Sequence, residues 1–356
     1  MNLTTEIPII HTSKSTISDV DFNNLEFGKH MTDHMFVARY GDGEWCDPKI
    51  VPFADISIAP TALALHYGQS VFEGMKAFKM MNGDISIFRI DKHYERLLKS
   101  LSRMSMPSLP FSLFEDGLKS LVNIDHEWVP EGEGKSLYIR PLIFASEGRF
   151  GVKISEEYLF IIMSGPVGSF YPKPLNVKVE DTYTRAAQGG TGAAKCAGNY
   201  GGSFYPTQLA RQKGFDQVLW TDGSAQLNIE ESGTMNVFFV IDNVIVTPPL
   251  SDSILGGITR DSLLHLASAM SFKVEERKIS AFELITAHEK GILTEVFGAG
   301  TAAITAPIAT ITIKDKKIEL PGYSNSSICK QLEKRLTDIR LGKSEDVFKW
   351  NTILLK

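Results

Sequence analysis

The spacing of apolar and polar positions changes period several times along the chain, and those changes predict its elements. Residues 51–58, 77–80 and 85–88 read as strands, the last two folded about the turn Asn82-Gly83-Asp84. From Asp91, placed as an N-cap, apolar residues recur at helical spacing at Tyr94, Leu97, Leu98 and Leu101. A second helix is predicted over 112–123, followed by β-rich runs over 135–144 and 157–163. The stretch 165–174, GPVGSFYPKP, interrupts both periods and reads as a linker. Beyond it, strands are predicted over 175–181, 217–221 and 234–247, the last a hairpin turning at Asp242-Asn243. Helices are predicted over 202–212, 260–271, 281–290 and 325–341. Hairpins mixed irregularly with helices indicate α+β (mixed α/β) domains rather than one doubly wound parallel sheet. The expected layout is a smaller N-terminal domain over 1–164, opened by a polar arm over 1–30, then the linker, then a larger C-terminal domain over 175–356.

Composition narrows the function classes. A chain of 356 residues with 43% apolar positions can bury two cores. A net charge of −5 argues against broad nucleic-acid binding. No charge-free apolar run reaches the roughly 20 residues a membrane helix needs. The segment MNLTTEIPIIHTSKS has neither the basic nor the apolar region of a secretory signal, so a soluble cytoplasmic protein is expected. Cys46, Cys196 and Cys329 are too widely spaced for a disulfide framework or a zinc pattern. His30 and His34 stand four apart, outside any convincing ligand set, and no metal is expected.

Candidate chemistry concentrates at 189–202, GGTGAAKCAGNYGG, where a single lysine, Lys195, sits among six glycines. Such density lets backbone approach a ligand closely. A lysine in a tight, partly desolvated pocket can present the neutral amine that attacks a carbonyl. The Walker spacing and the G-x-G-x-x-G pattern are both absent, and on composition alone a flexible surface loop stands level with a functional site. Three further features point the same way. In ILGGITRDSLL (254–264) a glycine pair leads into a helix near Thr259, which makes an anion site or an ordinary capped loop. Glu231, in EESGTMNVFF just before a predicted strand, could hold a pyridine nitrogen protonated or simply be solvated. GAGTAAIT (298–305) is another small-residue loop able to present backbone N–H groups.

Taken together, LHYGQSVFEGMKAF (65–78), LYIRP (137–141), GGTGAAKCAGNYGGS (189–203), ESGTMNVF (231–238), LGGITRDS (255–262) and FGAGTAA (297–303) resemble the branched-chain aminotransferases, pyridoxal-phosphate enzymes of fold type IV, in order and spacing. The resemblance runs from about Phe27 to the C-terminus. It implies that Lys195 is the Schiff-base lysine, that Tyr200 meets the cofactor's phenolate oxygen, and that Glu231 pairs with its pyridinium nitrogen. Arg96 would hold the phosphate together with the backbone at Ile258 and Thr259 and with Thr301. Tyr67, Tyr138, Arg140 and the N–H groups of Thr301 and Ala302 would organise the substrate's α-carboxylate, and Phe72 and Tyr138 would line its side-chain pocket. A homodimer is implied, each site borrowing Tyr67, Phe150 and Val152 from its partner. The implied reaction is a ping-pong exchange between leucine, isoleucine or valine and 2-oxoglutarate, giving branched 2-oxo acids and glutamate. Where animal members often carry a redox C-x-x-C pair, this chain has Ala303 and Ala306, so thiol regulation of that kind is not expected. Phe170 and Tyr171 fall where relatives vary, which leaves open which ring meets the ligand. The rival readings are another fold-type-IV enzyme, acting on D-amino acids or aminodeoxychorismate, and a non-catalytic phosphometabolite-binding protein that uses the glycine loops as anion nests.

Overall fold

The computed structural model describes residues 7–168 and 173–354, which lie in two compact units. Met1–Phe170, Ala194–Gly198 and Ile339–Lys356 form the first, and Tyr171–Ala193 and Asn199–Asp338 the second. This differs from a single C-terminal domain over 175–356, for a reason visible in the pairing. Asn351–Leu354 adds an edge strand to Ile85–Phe88, and Cys196 bridges Val71, so both short segments belong to the first unit's sheet.

That sheet is antiparallel throughout. Its order is Asn351–Leu354, Ile85–Phe88, Met75–Lys79, Ser136–Ala145, Tyr158–Val167, His34–Gly41, Glu44–Pro52, with Ser70–Phe72 also against Ser136–Ala145. The long strand Ser136–Ala145 alternates from Leu137 onward. Leu137, Ile139 and Ile143 turn into the core with Phe36, Phe160 and the helix residues Leu97, Leu101, Phe114 and Leu118, while Tyr138 and Arg140 turn to the opposite face. Helix Ile90–Arg103 starts one residue before the expected cap. Asp91 lies in its first turn, where a carboxylate favours the helix dipole, and Arg89 takes the N-cap in a left-handed conformation. The strand read over 51–58 ends at Pro52, and 53–59 is irregular. The linker read over 165–174 is shorter than expected, because Tyr158–Val167 continues through Gly165 and Pro166. A side chain at Gly165 would collide with the carbonyl of His30, so glycine there serves close packing rather than chain flexibility. Phe170 and Tyr171 lie outside the described residues.

In the second unit, six strands pair into a closed ring: Ile229–Ser232, Gln217–Thr221, Leu175–Val179, Thr305–Ile313, Leu293–Ala299 and Met235–Ile241, the last paired back to the first. Val244–Thr247, Lys273–Glu276 and Lys316–Glu319 extend it. Closure explains why Met235–Ile241 is buried at every position and shows no alternation. The hairpin turns where expected, with Asp242 and Asn243 both at positive φ, as a type I′ turn requires. Glu231 lies within a short strand, not ahead of one as its sequence setting indicated.

Candidate active site

The first unit positions an amine. Lys195 is held by its backbone: its carbonyl accepts from Phe72 N at 3.0 Å, its N–H donates to Ser100 Oγ at 2.9 Å, and Ala197 N donates to Ser70 O at 3.0 Å. The segment is thus anchored to Ser70–Phe72 through a single bridge at Cys196, despite its glycines. With the main chain fixed, Nζ lies 4.8 Å from the centre of the Phe72 ring. The Arg140 guanidinium lies 4.7 Å from the same ring, and its Nη2 donates to the Tyr138 hydroxyl at 3.0 Å. Gly74 makes room for that hydroxyl, since a Cβ there would overlap it. Phe27 meets the Tyr138 ring edge-on, with centroids 4.9 Å apart.

Beneath this surface is a polar group that sequence reading missed. Glu73, fully buried, accepts from Arg96 Nε and Nη2, each at 2.7 Å, from His93 Nδ1 at 2.8 Å and from its neighbour Gly74 N at 3.2 Å. Burial opposes ionisation of Glu73, but Arg96 and His93 together more than offset it, and its carboxyl is held well below the ordinary range. His93 is pushed below its usual value, by burial first, against the pull of Glu73. A neutral imidazole that donates from Nδ1 satisfies both facts. Arg96 is therefore no surface arginine. Its Nε and Nη2 are committed to Glu73, and its carbonyl accepts from Ser100 Oγ at 3.0 Å. The signal in the sequence was a polar stripe, His93, Arg96 and Ser100, on a helix whose other face is apolar.

Tyr67, Phe150 and Val152 lie together on an exposed edge of the same unit. The Tyr67 hydroxyl donates to the Phe150 carbonyl, while Phe150 and Val152 are 79% and 81% exposed. Of the histidine pair, His34 is engaged within the fold: Nδ1 donates to Asp125 at 2.7 Å and Nε2 accepts from Thr12 N at 3.0 Å. The three cysteines are unpaired, with Cys196 and Cys329 buried.

The second unit positions a carboxylate and a helix terminus. Glu231 and Asn236 are cross-strand partners where the ring closes. Glu231 Oε1 accepts from Leu255 N at 3.0 Å and from Asn236 Nδ2 at 3.4 Å, and Oε2 lies 2.6 Å from Arg185 Nε in an ion pair that lacks hydrogen-bond alignment. Asn236 Nδ2 also donates to Leu255 O at 2.9 Å. Helix Ile258–Ala269 follows directly, with Gly257 as its N-cap, no side chain capping the first turn, and Ile258 and Thr259 buried. Glu230 faces a different environment: Ser253 Oγ donates to Oε1, Oε2 is buried without a partner, and burial pushes its carboxyl above the ordinary value. Tyr200 lies on the helical turn Gly198–Gly201, half-buried, and its carbonyl accepts from Ser203. Thr301 and Ala302 lie in the loop between Leu293–Ala299 and Thr305–Ile313, closed by Gly300 N donating to Ala303 O at 3.1 Å. Arg185 and Asn236 were not identified from sequence. Arg185 falls just ahead of the glycine run, and no local pattern tied either residue to Glu231.

Residues 70–309 match the family described as amino-transferase class IV. A probable branched-chain-amino-acid aminotransferase of Staphylococcus epidermidis is 46% identical over 335 residues, 93% of each chain. Branched-chain-amino-acid aminotransferase 2 of Bacillus subtilis is 45% identical over 336 residues, again 93% of each. Among solved structures, the branched-chain aminotransferase of Thermoproteus uzoniensis with norvaline superposes with a TM-score of 0.74 at 26% identity, covering 90% of this chain and 99% of that one. The Escherichia coli enzyme gives 0.73 at 26% identity, covering 90% and 98%. The chain belongs to the class IV aminotransferases and, within them, to the branched-chain-amino-acid aminotransferases.

Proposed function

We propose that this enzyme exchanges an amino group reversibly between L-leucine, L-isoleucine or L-valine and 2-oxoglutarate, in two ping-pong half-reactions, with pyridoxal 5'-phosphate as cofactor. The observation that carries the reading is Lys195, whose backbone is tied at two points and its neighbour Ala197 at a third, while its amine projects over Phe72, near Arg140 and Tyr138.

The side chains present suit that cofactor. The uncapped first turn at Ile258 and Thr259 offers N–H donors to a phosphate, and a Cβ at Gly257 would collide with Asn236 Oδ1. Arg96, oriented by Glu73, and Thr301 would add to the phosphate grip. Tyr200 would donate to the phenolate oxygen. Glu231, with Arg185 favouring its carboxylate form, would hold a proton on the ring nitrogen. When bound, the cofactor supplies the aldehyde that takes the amino group and the electron sink that acidifies the substrate's Cα–H. Lys195 takes that proton as general base and restores one to Cα in the reverse half-reaction. Arg140 and Tyr138, with Tyr67 and the N–H groups of Thr301 and Ala302, orient the substrate carboxylate, and Phe72 lines the aliphatic pocket.

Leu65, Phe150, Val152 and Ile154 leave apolar side chains 58–81% exposed near Tyr67, the kind of surface a partner covers. We read it as the face of a homodimer in which each copy lends Tyr67, Phe150 and Val152 to its partner's site. The assignment to the cytoplasm belongs to the same proposal; among the described residues no helix is long and apolar enough to cross a membrane.

A leucine/2-oxoglutarate assay on wild type and Lys195→Ala tests the reading. Wild type should turn over and show a cofactor absorbance band, while Lys195→Ala should lose both the activity and the band's position. A band unchanged in Lys195→Ala, or turnover of D-alanine without L-leucine, would sink it.

A further inference from the structure

Two consecutive glutamates, Glu230 and Glu231, stand on a strand buried at every position, where simple alternation would send them to opposite faces. The pairing with Gln217–Thr221 shows why they stay together. Ile229 lies opposite Thr221 and Glu231 opposite Trp220, so Glu230 is the extra residue of a β-bulge. A bulge re-aims the side chain at the inserted position, and here both carboxyl groups reach the same short segment. Glu230 Oε1 accepts from Ser253 Oγ, and Glu231 Oε1 accepts from Leu255 N at 3.0 Å.

Ser253 is the hub of that segment. Its carbonyl accepts from Arg185 Nη2, which also donates to Gly192 O at 3.1 Å. A Cβ at Gly192 would overlap the Ser253 carbonyl and Cα, so glycine there permits the close approach. Ala193 N donates to Asp252 O at 2.8 Å, which ties the glycine run to the same segment. Arg185 Nε, in turn, lies 2.6 Å from Glu231 Oε2. The aim of Arg185 toward Glu231 is therefore set by where the Ser253 carbonyl stands. Two side chains hold the Ser253 hydroxyl: it donates to Glu230 and accepts from Ser251 Oγ at 2.9 Å. Glu230 is 8% exposed, and its Oε2 has no hydrogen-bond partner among the described residues. Burying a carboxyl with one oxygen unmet opposes stability, the pattern of a group kept for a site rather than for the fold.

We propose that Glu230 is a positioning residue for amino transfer: it pins Ser253, the Ser253 carbonyl aims Arg185, and Arg185 holds Glu231 in line with the cofactor's ring nitrogen. This role rests on the reading in which Glu231 meets that nitrogen. Without the Glu230–Ser253 bond, the carbonyl and Arg185 shift and Glu231 loses its alignment. Glu231 then holds the ring nitrogen's proton less firmly, and Lys195 removes the Cα proton more slowly.

The test compares holoenzymes reconstituted with pyridoxal phosphate isotopically labelled at the ring nitrogen and read by NMR. Glu230→Met and Ser253→Ala should each lower leucine turnover about tenfold, with the Michaelis constant within about twofold of wild type. The double variant should be no slower than either single one, because both remove the same bond. In both, the ring-nitrogen resonance should move part of the way toward its unprotonated position. Glu230→Gln, which keeps an acceptor for Ser253, should bring turnover and resonance back toward wild type. Ser253→Ala leaves the backbone intact and carries the test if Glu230→Met does not fold. Wild-type turnover and resonance in Ser253→Ala, additive losses in the double variant, or a Glu230→Gln no better than Glu230→Met would each overturn the proposal. Glu231→Gln separates it from the reading beneath it. If Glu231→Gln leaves the resonance unmoved, both fall; if it moves the resonance while Glu230→Met and Ser253→Ala do not, only the role of Glu230 falls.

Discussion

Each unit buries a glutamate against an arginine, yet the two charge balances are opposite. In the first unit one acid, Glu73, serves two basic groups, Arg96 and His93. In the second, Arg185 pairs with Glu231 and, together with Lys278, also acts on Glu230, which Asp222 opposes. The shortage is met differently in each place. Where acid is scarce, His93 is pushed below its usual value and gives up its charge. In the second unit Glu230 is pushed above its usual value, by burial first, which disfavours its charged form beside the pair of Arg185 and Glu231. Burial acts first in both places, and the balance of nearby charges then strengthens or opposes it.

The largest way to break this comparison is Glu73→Leu. It removes the carboxylate that Arg96 and His93 share, and loss of one partner from a buried pair costs about 3–5 kcal/mol. Urea unfolding should show that loss, with Glu73→Gln recovering part of it by keeping two hydrogen bonds. Glu231→Gln should divide its effect the other way. Turnover of leucine should fall on the order of 10²-fold, the scale of a lost proton-holding group, while the unfolding midpoint moves less than in Glu73→Leu. Equal stability losses with unchanged turnover would remove Glu231 from the chemistry.

A pH series sharpens the contrast with smaller effects. The folded value of Glu73 is depressed, so its contribution is complete above the ordinary carboxyl value of 4.5 and drains away as pH falls below it. The folded value of Glu230 is raised, so its contribution is complete below 4.5 and is lost as pH rises through the folded value. Glu73→Gln should therefore be less stable than wild type at pH 7 and approach it in acid. Glu230→Gln should match or exceed wild type at pH 7, and that advantage should vanish below pH 4.5. The mildest change is Gly74→Ala, whose methyl must displace the Tyr138 hydroxyl that Arg140 holds. The Michaelis constant for leucine should rise a few-fold while the cofactor spectrum stays as in wild type; a shifted spectrum would place Gly74 nearer the cofactor than the substrate.

Much of this was legible where it is local. The apolar stripe of Ile90–Arg103, the turn at Asp242-Asn243 and the helix beginning after Gly256-Gly257 all follow from spacing and turn chemistry over a few residues. The strand His34–Gly41 escaped notice because a register shift between Val37 and Arg39 breaks its alternation. The strand holding Glu231 shows no alternation because it closes a ring and is buried at every position. Glu73 and Arg185 were missed for another reason. Their partners lie 20 to 46 residues away along the chain, and only the fold makes a glutamate 23 residues before Arg96 its counter-ion.

The anchoring of Lys195 has a consequence for amide exchange with solvent deuterium. The N–H groups of Lys195 and Ala197 are tied to Ser100 and Ser70, each ordered in turn by its own helix or strand. Opening them requires the sheet edge at Ser70–Phe72 to let go, a sub-global event rather than a loop fluctuation. Lys195 and Ala197 should therefore exchange orders of magnitude more slowly than the exposed Gly189, leaving an island of protection inside the most glycine-rich stretch of the chain. The glycines give the backbone its reach around that point, and the lysine itself is held by the sheet rather than by the loop.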